Sequence, residues 1–323
     1  MLGRRILRIK AFKVLYGQAV TGMMTLEDAM DELDKSCEAA RDLYLFMLAI
    51  VSPLTHEAGN RIRMAKEKFN PTEEEKNPNE KFAENALAKL LDSDPDFQKI
   101  VNRKGLSWQQ YDILIDSVLE SMKGKPYFRK YMESPERSLK EDCRLFTKVF
   151  EEEFVDNPQI YPILEDLSVY WTDDLAYALT FCCRTLTDLG NGEQWRLPDL
   201  YLSDMMRKKK NITDMQSDRE FVRRLLKNAF TGYEAYFARI CDALKGWTSD
   251  RVNCIDVALI VLGLAEAESF PDIPVSVTIN EYVEISKYFS QPKSTSFING
   301  MLDKLIANMI DEGKIVKAPS VKA

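Results

Sequence analysis

Residues 251–305 read RVNCIDVALIVLGLAEAESFPDIPVSVTINEYVEISKYFSQPKSTSFINGMLDKL. From Val252 to Ala267 there is no proline, and VALIVLGLA is apolar almost all round, the pattern of a helix buried on every side. The run is too short and too interrupted by charge to span a bilayer. Pro271 and Pro274 end it, because proline cannot continue a helix entered from inside. Ser276 is the expected N-cap of the next helix, which sets Ile279, Tyr282, Val283 and Ser286 on one face at helical spacing. Gln291 and Pro292 break that helix, and Ser294 to Ser296 cap a third that carries Phe297, Leu302, Leu305 and Ile306. The stretch predicts a packed helical core, hence an all-α fold.

The composition agrees. The 323 residues are 45% hydrophobic and 29% charged, enough for a real core, and glycine and proline number only 13 each, low for an all-β chain. A net charge of −7 argues against a surface coated everywhere with nucleic acid but leaves room for a local basic patch. The six cysteines form no C-x-x-C, and His56 is the single histidine, so no metal site is expected; the thiols read as small buried hydrophobes of a reducing compartment. The N-terminus lacks the apolar core of a signal peptide and no long apolar span occurs. The expectation is a cytoplasmic protein without cofactor or membrane contact.

Working outward, residues 3–22, GRRILRIKAFKVLYGQAVTG, form an amphipathic helix whose apolar face is read as Ile6, Ile9, Phe12 (or Lys13), Leu15 and Tyr16. Arg4, Arg5, Arg8 and Lys10 crowd its first turns, where positive charge opposes the helix dipole. An external anion, most simply phosphate, would offset that; a solvated basic turn is the plainer alternative. Gly22 closes the helix, and Thr25 with Asp28 opens the next. Residues 39–69 read as a long helical region kinked at Pro53, and NPTEEEKNPNEKF, residues 70–82, as a linker. Further helices are expected over Phe82–Leu91, Trp108–Met122, Ser138–Phe154 and Ile160–Leu189, the last broken near Trp171. Glu151, Glu152, Glu153, Asp156, Glu165, Asp166, Asp173 and Asp174 have neither histidine nor glycine loop beside them. They read as solvated acidic faces, and no catalytic residue is assigned. Arg207-Lys208-Lys209-Lys210 is the other dense basic cluster, a phosphate contact or a solvated helix end.

Three segments carry a family likeness: VALIVLGLAEAE (257–268), IPVSVTINEYVEISKYF (273–289) and STSFINGMLDKL (294–305). With the opening Arg4, Arg5, Arg8, Ala11, Leu15 and Tyr16, and with Trp247, the chain resembles the NusB family of transcription antitermination factors over residues 4–21 and 217–310. The resemblance implies a bundle of two packed helical subdomains without catalysis. Residues 1–37 and 216–323 would be the NusB-like parts, and 38–215 a large helical insertion. An echo of DREFVRRLL (218–226) in DLYLFMLAI (42–50) leaves the left boundary anywhere between 36 and 70. The implied partners are boxA-type single-stranded RNA, a NusE-like small-subunit ribosomal protein and the RNA polymerase elongation complex. The implied RNA surface is Arg4, Arg5 and Arg8 with Lys293, Ser294 and Phe297; Asn280, Glu281, Asn299 and Gly300 are assigned structural roles. One alternative is a protein-interaction module whose insertion has replaced RNA binding. Another is the NusB-like domain of an rRNA cytosine methyltransferase, which would need a glycine-rich loop and a Pro-Cys motif that this sequence lacks.

Overall fold

The computed structural model describes residues 2–201, 217–244 and 253–318, so Arg207-Lys208-Lys209-Lys210 and Trp247 lie outside the described residues. The described residues contain helices and no strand. Two compact units form, a terminal one of Met1–Cys37 with Asp199–Ala323 and a central one of Glu38–Pro198. The acidity is not shared: residues 38–198 carry a formal charge of −8 and the remainder +1.

Helix α1 (Arg4–Thr21) ends at Gly22, whose φ of 65° lets its N–H reach the Gln18 carbonyl at 2.8 Å. Glycine adopts that left-handed conformation without a Cβ penalty. Next, the Thr25 N–H and hydroxyl donate to Asp28 Oδ2 at 3.1 and 2.6 Å, and the Asp28 N–H donates back to Thr25 Oγ1 at 3.1 Å. This exchange opens α2 (Leu26–Leu48).

In the central unit, α2 ends at Leu48 and α3 (Val51–Lys66) starts after a turn at Ala49 and Ile50. The expected kink at Pro53 is thus a full break just upstream, with Pro53 in the first turn of α3, where its missing N–H costs little. The expected linker is largely exposed but not structureless. It contains α4 (Glu73–Lys76), opened by a Thr72/Glu75 capping box, and ends in buried Lys81 and Phe82. Lys81 Nζ donates to the carbonyls of Tyr131 and Ser134 at 2.6 and 3.0 Å and pairs with Glu141 at 2.7 Å, so a charge that composition assigns to solvent is pinned inside. Helices α5 (Ala86–Ser93), α6 (Pro95–Lys104), α7 (Asp112–Gly124), α8 (Pro126–Glu133) and α9 (Leu139–Val149) follow, then a π turn over Phe150–Phe154, α10 (Ile160–Leu167) and α11 (Leu175–Gly190). The core includes a stack of Trp108, Phe46 and Trp171, with centroids 4.0 and 5.3 Å from Phe46. Both indole N–H groups are satisfied by backbone, donating to the Phe46 and Ala39 carbonyls at 2.7 and 2.8 Å. Of the acidic residues read as solvated, Glu153 and Asp174 are buried, Glu153 accepting the Tyr127 hydroxyl at 2.8 Å. Cys37, Cys143 and Cys182 are buried as expected, and burial pushes the Cys143 thiol up to about 12; Cys241 and Cys254 are exposed, against expectation.

The terminal unit resumes with α12 (Asp218–Thr231), opened by a Ser217/Glu220 capping box, then α13 (Tyr233–Ala243), α14 (Cys254–Ser269), α15 (Val275–Phe289) and α16 (Ser294–Asp311). As its composition predicts, α14 is buried on every side from Asp256 to Ala267. It packs against α1, α12, α15 and α16. Pro274, not Ser276, occupies the N-cap of α15, and no serine side chain caps α16. The buried face of α1 is Leu7, Ala11, Val14 and Leu15 together with Phe12 and the cations Arg8 and Lys10, while Ile6 and Ile9 are only half-buried. Hydropathy misplaces this face because two of its buried members are charged.

Gly263 sets the spacing of the bundle. A Cβ there would lie 2.5 Å from Leu302 Cδ2 and 3.3 Å from Tyr282 Cδ2, both side chains fully buried. Gly263→Ala therefore lowers stability by about 1–3 kcal/mol, the usual cost of overpacking, despite alanine's better helix propensity. A fall in thermal midpoint checks it; an unchanged or raised midpoint refutes the close approach.

Candidate nucleic-acid interface

The three N-terminal arginines point to three different carboxylates. Arg8 is 3% exposed. Its Nε and Nη2 form a fork on Glu266 at 2.7 and 2.8 Å, and Nη1 lies 3.5 Å from Glu281. Glu266, fully buried in α14, also accepts the Thr278 hydroxyl and the Tyr282 hydroxyl, each at 3.0 Å. Four donors thus meet two carboxylate oxygens, which is what a buried ion pair needs. Burial works against the Arg8 charge, but the hydrogen bonds and attraction of Glu266 outweigh it and hold the guanidinium well above its ordinary pKa. Arg5 forms a second fork, outside, on Glu281 of α15 at 3.1 and 2.7 Å, and its side chain stays 52% exposed. Hydrogen bonding to Arg5 in turn lowers the Glu281 pKa. Arg4 reaches Asp218 at 3.4 Å and lies over the Phe221 ring, 4.7 Å from its centroid. Carboxylates within the unit therefore offset the cations that oppose the α1 dipole.

Helix α1 runs beside α15: Arg5 meets Glu281, and about two turns further along both helices Phe12 packs against Phe289 with centroids 5.2 Å apart. Lys13 Nζ stands 5.8 Å from that same ring. About 12 Å of helix separates Glu281 from Phe289 at 1.5 Å per residue. So Lys13 and Phe12, not the arginines, stand at the end of α15 that leads into the loop carrying Lys293. Lys293 is exposed, while Ser294 and Phe297 are partly buried.

Sequence reasoning missed Tyr288. It is 78% exposed on α15 and close enough to Arg5 to add to the factors raising its pKa, after the Glu281 hydrogen bond and the Glu281 and Glu284 charges. The signal was the buried set Tyr282, Ile285 and Ser286, which turns residue 288 outward. The structural roles expected of Asn280, Asn299 and Gly300 are not observed. All three are exposed within helices, the two asparagines have no partner among the described residues, and a Cβ at Gly300 would meet nothing. Only Glu281 of that set is engaged inside the fold, and Gly263 makes the close helix approach instead.

The NusB family pattern matches residues 184–307, beginning inside α11. A transcription antitermination protein NusB of Citrifermentans bemidjiense is 31% identical over 126 aligned positions, which cover 87% of it and 35% of this chain. The chain belongs to the NusB family. NusB proteins of Methylacidiphilum infernorum and Acetivibrio thermocellus are 38% and 37% identical over 91 positions, 28% of this chain. The chain spans 64% and 63% of their lengths. No solved structure matches it. Most of the central unit lies ahead of the NusB match. No helix among the described residues is long and apolar enough to cross a membrane.

Proposed function

We propose that this protein is a transcription antitermination factor that binds boxA-type single-stranded RNA of ribosomal transcripts. It does so with a NusE-like ribosomal protein, on the RNA polymerase elongation complex, and without catalysis. Residues 38–215, apart from the stretch from 184 on that the NusB pattern matches, are then an insertion in the NusB domain. The observation that carries the reading is that Asn280, Asn299 and Gly300, residues of the NusB likeness, are exposed and hold nothing inside the fold. The charge distribution supports it, since the acidity of the chain resides in residues 38–198.

In this reading Arg5 and Lys293 contact phosphate, and Tyr288 is a platform for a base. Arg8 fixes α1 on α14 and does not touch RNA. Arg4 and Ser294 border the surface. The test is titration of boxA-type RNA at several salt concentrations, with and without the NusE-like protein. Arg5→Ala reduces the slope of log affinity against log salt by about 0.7, the single-strand value for one phosphate contact. Tyr288→Ala weakens binding by about 1–3 kcal/mol if a base stacks there. Wild-type behaviour of both variants overturns the site; absence of binding with and without the partner overturns the function.

A further inference from the structure

The central unit, although acidic overall, carries one groove whose charged lining residues are three cations and a single acid, Glu151. It lies between α9 and α11, has a volume of about 350 Å³, and is bordered by Lys140, Arg144 and Lys148 on α9 and by Thr187 of α11 and Asn191 just past its end. The three cations recur every four residues, so they form one row at about 6 Å intervals along the helix. All three are exposed, and Lys140 and Arg144 have no ion-pair partner among the described residues. Lys148 holds only the exposed neighbour Glu151, at 2.7 Å, a contact an incoming anion exchanges easily.

We propose that this groove binds the phosphodiester backbone of single-stranded RNA without reading its sequence, giving the central unit a nucleic-acid contact of its own besides Arg5 and Lys293. The choice of RNA as the polyanion rests on the function proposed above. The groove itself favours a backbone over an acidic amphipathic helix. Its apolar floor, Cys143 and Leu186, is already buried, so no exposed apolar side chain awaits a partner's apolar stripe. No aromatic lines it, so bases gain no stacking platform and contacts stay with phosphate. The surrounding negative charge does not forbid the contact, because exposed charges beyond about 8–10 Å are largely screened at physiological salt.

The experiment titrates the full chain with labelled oligouridine and with boxA-type RNA across a salt series. It compares wild type, Lys140→Ala/Arg144→Ala/Lys148→Ala, and the control Lys89→Ala/Lys99→Ala/Arg103→Ala, which removes equal charge at other exposed sites of the unit. The groove variant reduces the oligouridine salt slope by about 2, at 0.7 per lost contact, and the control leaves it unchanged. The preference for boxA over oligouridine survives in both. If the groove variant binds oligouridine as wild type does, or the control lowers the slope equally, the groove assignment falls while boxA recognition stands. If polyglutamate displaces oligouridine from wild type as well as unlabelled RNA of equal charge does, the proposed occupant is wrong. If wild type binds neither RNA, with or without the NusE-like protein, this inference and the function beneath it fall together.

Discussion

Replacing Arg8 by alanine lowers the stability of the terminal unit by about 3–5 kcal/mol, the cost of leaving a buried charge without its partner. Glu266 is fully buried and would keep only the hydroxyls of Thr278 and Tyr282 as donors. Neither supplies a positive charge. The denaturant midpoint falls with an unchanged slope, and hydrogen exchange in α1, α14 and α15 accelerates most. Arg5→Ala is the comparison. Arg5 makes the same kind of fork on a carboxylate but is 52% exposed, so its loss costs about 0–1 kcal/mol. Two arginines three residues apart on one helix thus differ several-fold in effect through burial alone. Equal, small losses for both would show that the inner fork contributes no more than a surface pair. It follows that removing Arg4, Arg5 and Arg8 together reports on folding before it reports on RNA, and single exposed positions are the informative ones.

Trp108→Ala lowers the stability of the central unit by about 3–5 kcal/mol, the range for deleting a large buried aromatic. The side chain is 2% exposed and stacked on Phe46 at 4.0 Å. Its removal leaves a cavity beside Phe46 and takes the donor from the Phe46 carbonyl, which it meets at 2.7 Å. Trp108→Phe keeps a ring but not the donor, and costs about 1–3 kcal/mol for the unsatisfied buried carbonyl. Urea unfolding of the three proteins separates the two contributions. A phenylalanine variant as damaged as the alanine one would assign the effect to the hydrogen bond rather than to packing.

The all-α fold and most helix ends were legible in the sequence because backbone chemistry enforces them. Gly22, Pro271 and Pro292 lie just past helix ends whatever surrounds them, and Pro274 opens the next helix. The buried α14 was legible too, since a helix apolar all round has nowhere else to go. What failed were inferences that treat charge as exposure. Arg8, Lys10 and Lys81 are buried because acceptors from distant parts of the chain meet them, and no local pattern records those acceptors. One clue was available: Glu266 lies at the end of an otherwise apolar run, and a carboxylate there requires a cation from elsewhere. For the candidate site, Arg5 and Lys293 followed from the family likeness. Tyr288 did not, because its exposure is fixed only once Tyr282 and Ile285 have chosen the inner face.

The fork between Arg8 and Glu266 joins residues 258 positions apart. On a ribosome adding about 5–20 residues per second, α1 emerges roughly 13–50 s before the carboxylate it needs has been made. The central unit is complete well within that interval, since all of its residues precede Asp199. The usual order of folding from the N-terminus is therefore inverted between these parts of the chain: α1, made before the central unit, finds its place after it, and its apolar face depends on the nascent chain's surroundings until α14 arrives.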